Sequence, residues 1–336
     1  MIRKMKNLPT ITIKDGRYTC RPFVSVLCPF HNSEATIDAC IRSVLAQTYG
    51  NIKFILYDDG STDHSADIVK RYAKQNHNIC LIGNTQNLWR LHARNELIKA
   101  CDTEFATWID ADDIYEPNYI DIAVRAQQSG NFDITQIGRS ARTTEDINDF
   151  NTWQFCPPRT CSLYGDDILP AVLSGFISTR YLLWCQLFRT SLLKACILPF
   201  EGRYYGDDLF YTVPLLHQAK SFRCVDTGIV VHRYRAGGTF AKLETMDRAG
   251  LAEMCRFHHA VASWWLSYMR EHGEADNMNL LRTCVRCADI QLCAQQARKL
   301  DSMDVFLEWF CKDGHPVVGD DLEDQAYVAA VMSIFT

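Results

Sequence analysis

Apolar and polar positions along this chain fall into two rhythms that take turns, and their alternation predicts the architecture. Phe23 to Cys28 is a short, mostly apolar run suited to a strand buried on both faces. Ile37, Cys40, Ile41, Val44 and Leu45 follow at helical spacing, so Ser33 to Gln47 should lay one apolar stripe against a sheet. The cycle then repeats. Strands are predicted over Ile52–Tyr57, Ile79–Ile82 and Phe105–Ile109, with helices over Ser65–Lys74 and Leu91–Ala100 between them. A further helix from Asn118 to Gln128 should stop at Gly130, ahead of a strand over Phe132–Ile137. Alternation of this kind builds an α/β fold around a doubly wound, mostly parallel sheet.

Elsewhere the rhythm changes. Residues 1–21 read as a leader segment, and Arg139 to Pro158 is a polar stretch that reads as a connection or lid. Residues 159–240 are mixed and irregular, while from Lys242 the tendency is helical. Trp264-Trp265 lies in an apolar patch from Ala260 to Met269 with only scattered basic neighbours, which favours a core helix over a membrane-surface anchor. The expected organisation is therefore a main domain over 22–240, divided at 138/139, and a helical C-terminal extension over 241–336.

Composition narrows the function classes. The chain has 336 residues, 47% hydrophobic and 22% charged, which places it with globular proteins and away from disorder. A formal net charge of −5 without a basic, aromatic-studded patch argues against a nucleic-acid partner. The 15 cysteines would suggest a disulfide scaffold behind a signal peptide, but Met1–Lys6 leads into no apolar segment. Reduced thiols and a cytoplasmic location are expected. Cys284, Cys287 and Cys293, with His258-His259 upstream, lie in helical sequence without knuckle turns and read as core or surface thiols, not a zinc site. No uncharged stretch approaches the ~18–20 apolar residues of a membrane span.

The candidate chemistry is carboxylate chemistry. Phe105 to Ile109 delivers Asp110, Asp112 and Asp113 to the end of a strand, and Ile52 to Tyr57 delivers Asp58-Asp59-Gly60-Ser61-Thr62-Asp63 in the same way. Acids at the end of a buried strand are costly unless solvated, paired or coordinated, and Mg²⁺ or Mn²⁺ is commonly held by one or two carboxylates plus substrate phosphates. Open α/β sheets bind ligands at this edge. Asp110 and Asp112, two apart on an extended segment, point the same way. Gly206-Asp207-Asp208-Leu209-Phe210 places a second pair of acids ahead of an apolar helix start, which read alone is a helix N-terminal cap.

Taken in order, Val24–Asn32, Ser43–Tyr49, Asp58–Asp63, Ala93-Arg94-Asn95, Asp110–Asp113 and Gly206–Phe210 resemble the motifs of inverting family 2 glycosyltransferases with the GT-A fold. Trp184–Arg189 and Tyr234-Arg235 resemble the later signatures, so the likeness covers about 22–240. It implies a metal-dependent, inverting transfer of a sugar from a nucleotide-diphosphate donor, UDP-linked, to a hydroxyl of a glycan or glycolipid acceptor. It also implies a nucleotide-binding half, 22–138, an acceptor half, 139–240, and a place in cell-surface polysaccharide synthesis of the bacterial type. Cytoplasmic residence with peripheral membrane association at the inner face follows; an oligomeric state does not.

Position by position, the resemblance assigns Asp59 to nucleobase recognition, Asp110 to the ribose side, Asp112 to Mn²⁺ or Mg²⁺, and Asp208 to the general base. Pro29, His31, Ala111, Arg94 and Arg235 join the donor site, Arg94 as a phosphate contact and Arg235, with His232 and Arg233, in a basic segment able to close over the diphosphate. Four positions depart from the pattern. His31 stands where Tyr is usual, Trp89 where Gly is common, Asp207 in place of Glu, and Gln186 in place of a frequent Lys. These bear on donor-sugar identity, not on reaction type. A sugar-nucleotide pyrophosphorylase should carry a Gly-rich loop after the first strand, and Cys28–Asn32 has no glycine. An inactive binding module should have lost the metal acid or the base, and both Asp112 and Asp208 are present.

Overall fold

A computed structural model describes residues 11–14, 17–20, 22–143, 150–155, 160–174, 183–199, 202, 207–233, 245–285 and 291–309. The chain forms two compact units, 1–168 with 178–234, and 169–177 with 235–336.

The first unit opens with an antiparallel hairpin, β1 (Ile11–Lys14) and β2 (Arg17–Cys20). Next come β3 (Val24–Phe30), α1 (Ile37–Leu45), β4 (Ile52–Asp59), α2 (Ser65–Gln75), β5 (Ile79–Asn84), α3 (Trp89–Ala100) and β6 (Phe105–Trp108). They are followed by β7 (Ile114–Tyr115), α4 (Tyr119–Gln128), β8 (Ile134–Thr143), β9 (Phe150–Phe155) and β10 (Cys161–Tyr164); there the first unit is interrupted by α5 (Ile168–Leu173), which from Leu169 on belongs to the second. β11 (Gln186–Arg189), α6 (Thr190–Ala195), α7 (Leu209–Gln218) and β12 (Ser221–Arg233) complete the first unit.

One sheet runs in the order β10-β12-β8-β11-β6-β3-β4-β5, with β7 on β12 and β9 on β8. Its centre is parallel: β3 pairs with β4 and β6, and β4 with β5. All seven residues of β3 are buried, as a strand covered on both faces demands. The stripe of α1 behaves as its spacing requires, burying Ile37, Cys40, Ile41 and Val44. The same core takes in Phe54, Leu56, Phe105, Ile120 and Val124.

The half beyond Arg139 is more regular than its pattern suggests. β8 runs on to Thr143 and carries β9, while four residues, Gln186–Arg189, insert antiparallel between β8 and β6. A strand this short and opened by a glutamine has too little alternation to be read locally. β12 is legible only in pieces because Asp226-Thr227-Gly228 breaks it with a bulge between Val225 and Ile229. Gly228 has φ +89°, and a Cβ there would meet Ile137 Cγ2 at 2.5 Å.

The second unit is helical: α8 (Arg248–Glu271), α9 (Ala275–Val285), α10 (Gln291–Lys299) and α11 (Met303–Leu307). Trp265 in α8 is buried, in line with a core helix. Among the described residues no helix is long and apolar enough to cross a membrane.

Candidate active site

Three parallel strands bring the acids together. Phe30 pairs with Asp58 and Leu27 with Trp108, so β4, β3 and β6 end side by side, and the loops after them form one edge. Pro29 is the penultimate residue of β3. Beyond it, His31 Nδ1 lies 2.9 Å from the main-chain oxygen of Asp59. A carbonyl only accepts, so Nδ1 carries the proton and the ring is fixed in one tautomer.

Asp59 itself is 3% exposed, and its Oδ1 accepts from Leu88 N at 2.8 Å. Asp58 instead caps its own turn, accepting from Ser61 N at 2.9 Å. Gly60 at φ +69° is required here, since a Cβ would come within 2.5 Å of the Gln86 backbone. The loops after β3 and β4 are clasped by Asn32 N to Ser61 Oγ (3.1 Å), Thr62 N to Asn32 Oδ1 (2.8 Å) and Glu34 N to Asp63 Oδ2 (3.0 Å).

Past β6 the chain turns tightly, Asp113 N donating to Asp110 O at 2.9 Å across Ala111. Asp110, Asp112 and Asp113 each offer a carboxylate oxygen, all within 4.8 Å of one another, the last buried and the first two half-buried. Oxygens on Mg²⁺, Mn²⁺ or Ca²⁺ lie at about 2.0–2.6 Å, so ligands across one cation are about 4–5 Å apart, and an all-oxygen set suits these hard ions. The residues fit such a metal. The turn is braced from α1: Tyr115 N donates to Ser43 Oγ at 3.2 Å, and Gln47 Nε2 donates to Glu116 O at 2.7 Å.

The second acid pair is treated quite differently. Asp207 is 1% exposed and faces two arginines of α3, with Arg94 Nε on Oδ2 at 2.6 Å and Arg90 Nε near Oδ1 at 3.1 Å. Arg94 also reaches Asp110 Oδ1 at 3.6 Å and lies over the Trp108 ring. Its guanidinium thus faces carboxylates from both turns. Burial would raise the Asp207 carboxyl, but Arg94 and then Arg90 overcome it and hold it below the ordinary range. Asp208, next in line and N-cap of α7, reaches solvent in part. Loss of solvation still dominates, and with the Asp207 charge beside it Asp208 is pushed up to about 6 against the pull of Arg94. Asn95 secures the same turn, its Oδ1 accepting from Tyr211 Oη at 2.7 Å and from Leu198 N at 3.3 Å.

Sequence reasoning missed Arg90, and with it the use of one face of α3 as a clamp. The signal was present in the four-residue spacing of Arg90 and Arg94, but their partner stands 113 positions after Arg94. Arg235 lies outside the described residues, as do the side chains of His232 and Arg233.

The sequence profile of Glycosyl transferase family 2 matches residues 25–192, half of the chain. The chain belongs to this family. As a family 2 glycosyltransferase it is 30% identical over 216 residues to EpsH of Bacillus subtilis (strain 168), a candidate glycosyltransferase by name, across 63% of this chain and 61% of that one. Less than two thirds of that relative's length is therefore spanned. Among solved structures it is similar in fold to Staphylococcus aureus TarS 1–349 in complex with UDP-GlcNAc, with TM-score 0.56 and 17% identity over 85% of this chain and 90% of that one. It is likewise similar to the mannosyltransferase PcManGT of Pyrobaculum calidifontis in complex with GDP-Man and Mn²⁺, with TM-score 0.55 and 15% identity over 94% and 81%. The fold is GT-A, a mostly parallel central sheet with flanking helices and a helical C-terminal region.

Proposed function

We propose that this protein is a metal-dependent, inverting glycosyltransferase that moves a sugar from a UDP-linked donor to a hydroxyl of a glycan or glycolipid in cell-surface polysaccharide synthesis. The observation that carries the reading is the division of labour between two acid pairs: the carboxylates of one cluster with a third within 4.8 Å, and in the other a single carboxylate is raised to about 6 beside a neighbour held ionised.

Asp59 accepts a base N–H through Oδ2, its Oδ1 being engaged by Leu88, while His31, oriented through Nδ1, offers its ring to the base. Pro29 and Ala111 shape the floor, and Asp110 accepts from the ribose. Asp112, with Asp110 and Asp113 in reach, would hold Mn²⁺ or Mg²⁺. When bound, the ion supplies counter-charge and a template for the departing diphosphate. Asp208 takes the proton of the acceptor hydroxyl as its oxygen attacks the anomeric carbon from the face opposite the leaving group. A base near 6 is stronger than an ordinary carboxylate and still ionised at neutral pH. One displacement through an oxocarbenium-like transition state inverts the centre. Arg94, expected from the sequence as a phosphate contact, is engaged by Asp110 and Asp207 and keeps the two turns in register. Work at the inner face of a membrane follows from a lipid-linked acceptor.

Release of nucleoside diphosphate from a panel of UDP-, GDP- and dTDP-sugars, with and without Mn²⁺, tests the reading. The expected result is UDP release that requires the metal, and Asp112→Ala should abolish metal-dependent UDP binding in calorimetry. An Asp112→Ala variant that binds as tightly as the parent removes Asp112 from the metal site.

A further inference from the structure

Leu88, Trp89 and Arg90 span the distance between the two acids that matter most. Leu88 N is tied to Asp59 at 2.8 Å, and the Arg90 side chain is tied to Asp207 at 3.1 Å. Trp89 stands between these ties, at the seam of the nucleoside end and the reaction end of the site. Its backbone is in the left-handed region, φ +74°, which a bulky residue adopts at a cost. A further tie, Trp89 N to Asn87 Oδ1 at 3.0 Å, holds the turn in place. Leu88 and Trp89 are also, at 38% and 39% exposure, two of the three large hydrophobic side chains left open among the described residues.

An indole kept both strained and exposed at such a place is costly for folding, and such outliers gather where a ligand uses them. We propose that Trp89 is a binding residue of the donor site, its ring forming the wall against which the uridine diphosphate is packed. The assignment rests on the donor reading above. An indole offers a flat apolar face to a nucleobase or sugar face, and aromatic stacking of a base is sequence-tolerant and strong. The left-handed backbone follows from the two outer ties, which aim the turn and leave Trp89 to absorb the geometry.

The test separates strain from contact. Trp89→Gly removes both, Trp89→Asn keeps a side chain tolerant of the left-handed region without the ring, and Trp89→Phe keeps a ring on the strained backbone. In the full-length chain without ligand, Trp89→Gly should raise Tm by about 2–4 °C. In calorimetry with Mn²⁺, Trp89→Gly and Trp89→Asn should bind UDP about tenfold more weakly, and Trp89→Phe within about threefold of the parent. A more stable protein that binds worse is a signature ordinary packing does not give. Unchanged UDP affinity in Trp89→Gly and Trp89→Asn overturns the proposal, and so does a Tm that falls in both variants along with binding, since the indole is then core. Asp112→Ala in the same series tells the two readings apart. Weak binding there with intact binding in Trp89→Gly sinks only the Trp89 assignment, and a parent that takes up no UDP with Mn²⁺ overturns both.

Discussion

Two pairs of aspartates, Asp110/Asp112 and Asp207/Asp208, sit at the start of two turns in the same unit, yet their surroundings differ in kind. The first pair is half-buried and shares its turn with a third carboxylate. In the second, two arginines claim one member, and the other keeps a raised proton affinity. Identical side chains are given different chemistry by how far each is desolvated and how closely a cation pairs with it. The lesson is that a carboxylate's role follows its partners, not its motif.

The difference can be broken most sharply at Asp208. Asp208→Asn keeps size and one acceptor oxygen but takes no proton, so turnover should fall about 10²–10⁴-fold with donor affinity unchanged. Parent kcat should rise with pH through about 6, following ionisation of the base, and a flat profile from pH 5 to 8 would count against Asp208. The stability terms of the neighbours run in opposite directions. Asp208, raised when folded, contributes most below its unfolded value and loses that contribution as pH rises through about 6. Asp207, lowered when folded, contributes above its unfolded value and loses it as pH falls.

Removing the cation is next in size. Arg94→Ala leaves Asp207 buried without its nearest charge and should cost about 3–5 kcal/mol in chemical denaturation. Arg94→Ala with Asp207→Asn should recover part of that loss, because no ionised group is then stranded. A double variant no more stable than Arg94→Ala would show that the arginine packs on Trp108 more than it pairs. The smallest effect lies at the nucleoside end. Asp59→Ala should weaken UDP binding by roughly 1.5–3 kcal/mol, the worth of one or two charge-assisted hydrogen bonds, and equal affinity of the parent for UDP and GDP would remove the basis for that role.

The strands that carry the first acids were legible because each is a compact apolar run ending in Asp, and β4 and β6 do end beside β3. The Ser43–Tyr49 element was visible as a motif, while its task of bracing the turn after β6 through Ser43 and Gln47 was not, since it depends on contacts about 70 positions away. β11 escaped notice for a related reason. Its place between β8 and β6 is decided by pairing with strands on both sides, not by its own four residues.

By itself the sequence determined what local chemistry can encode: alternation of apolar periods, glycine where a turn excludes a Cβ, and acids at the ends of strands. Charge state could not be written there. Whether Asp207 or Asp208 holds its proton depends on burial and on Arg90 and Arg94, which lie more than a hundred positions earlier and reach the pair only when α3 packs on the sheet. The left-handed backbone of Trp89 has the same origin, because the ties of Leu88 to Asp59 and of Arg90 to Asp207 exist only in the folded chain. Proton affinity and backbone strain are set by through-space partners, and tertiary structure alone brings those partners together.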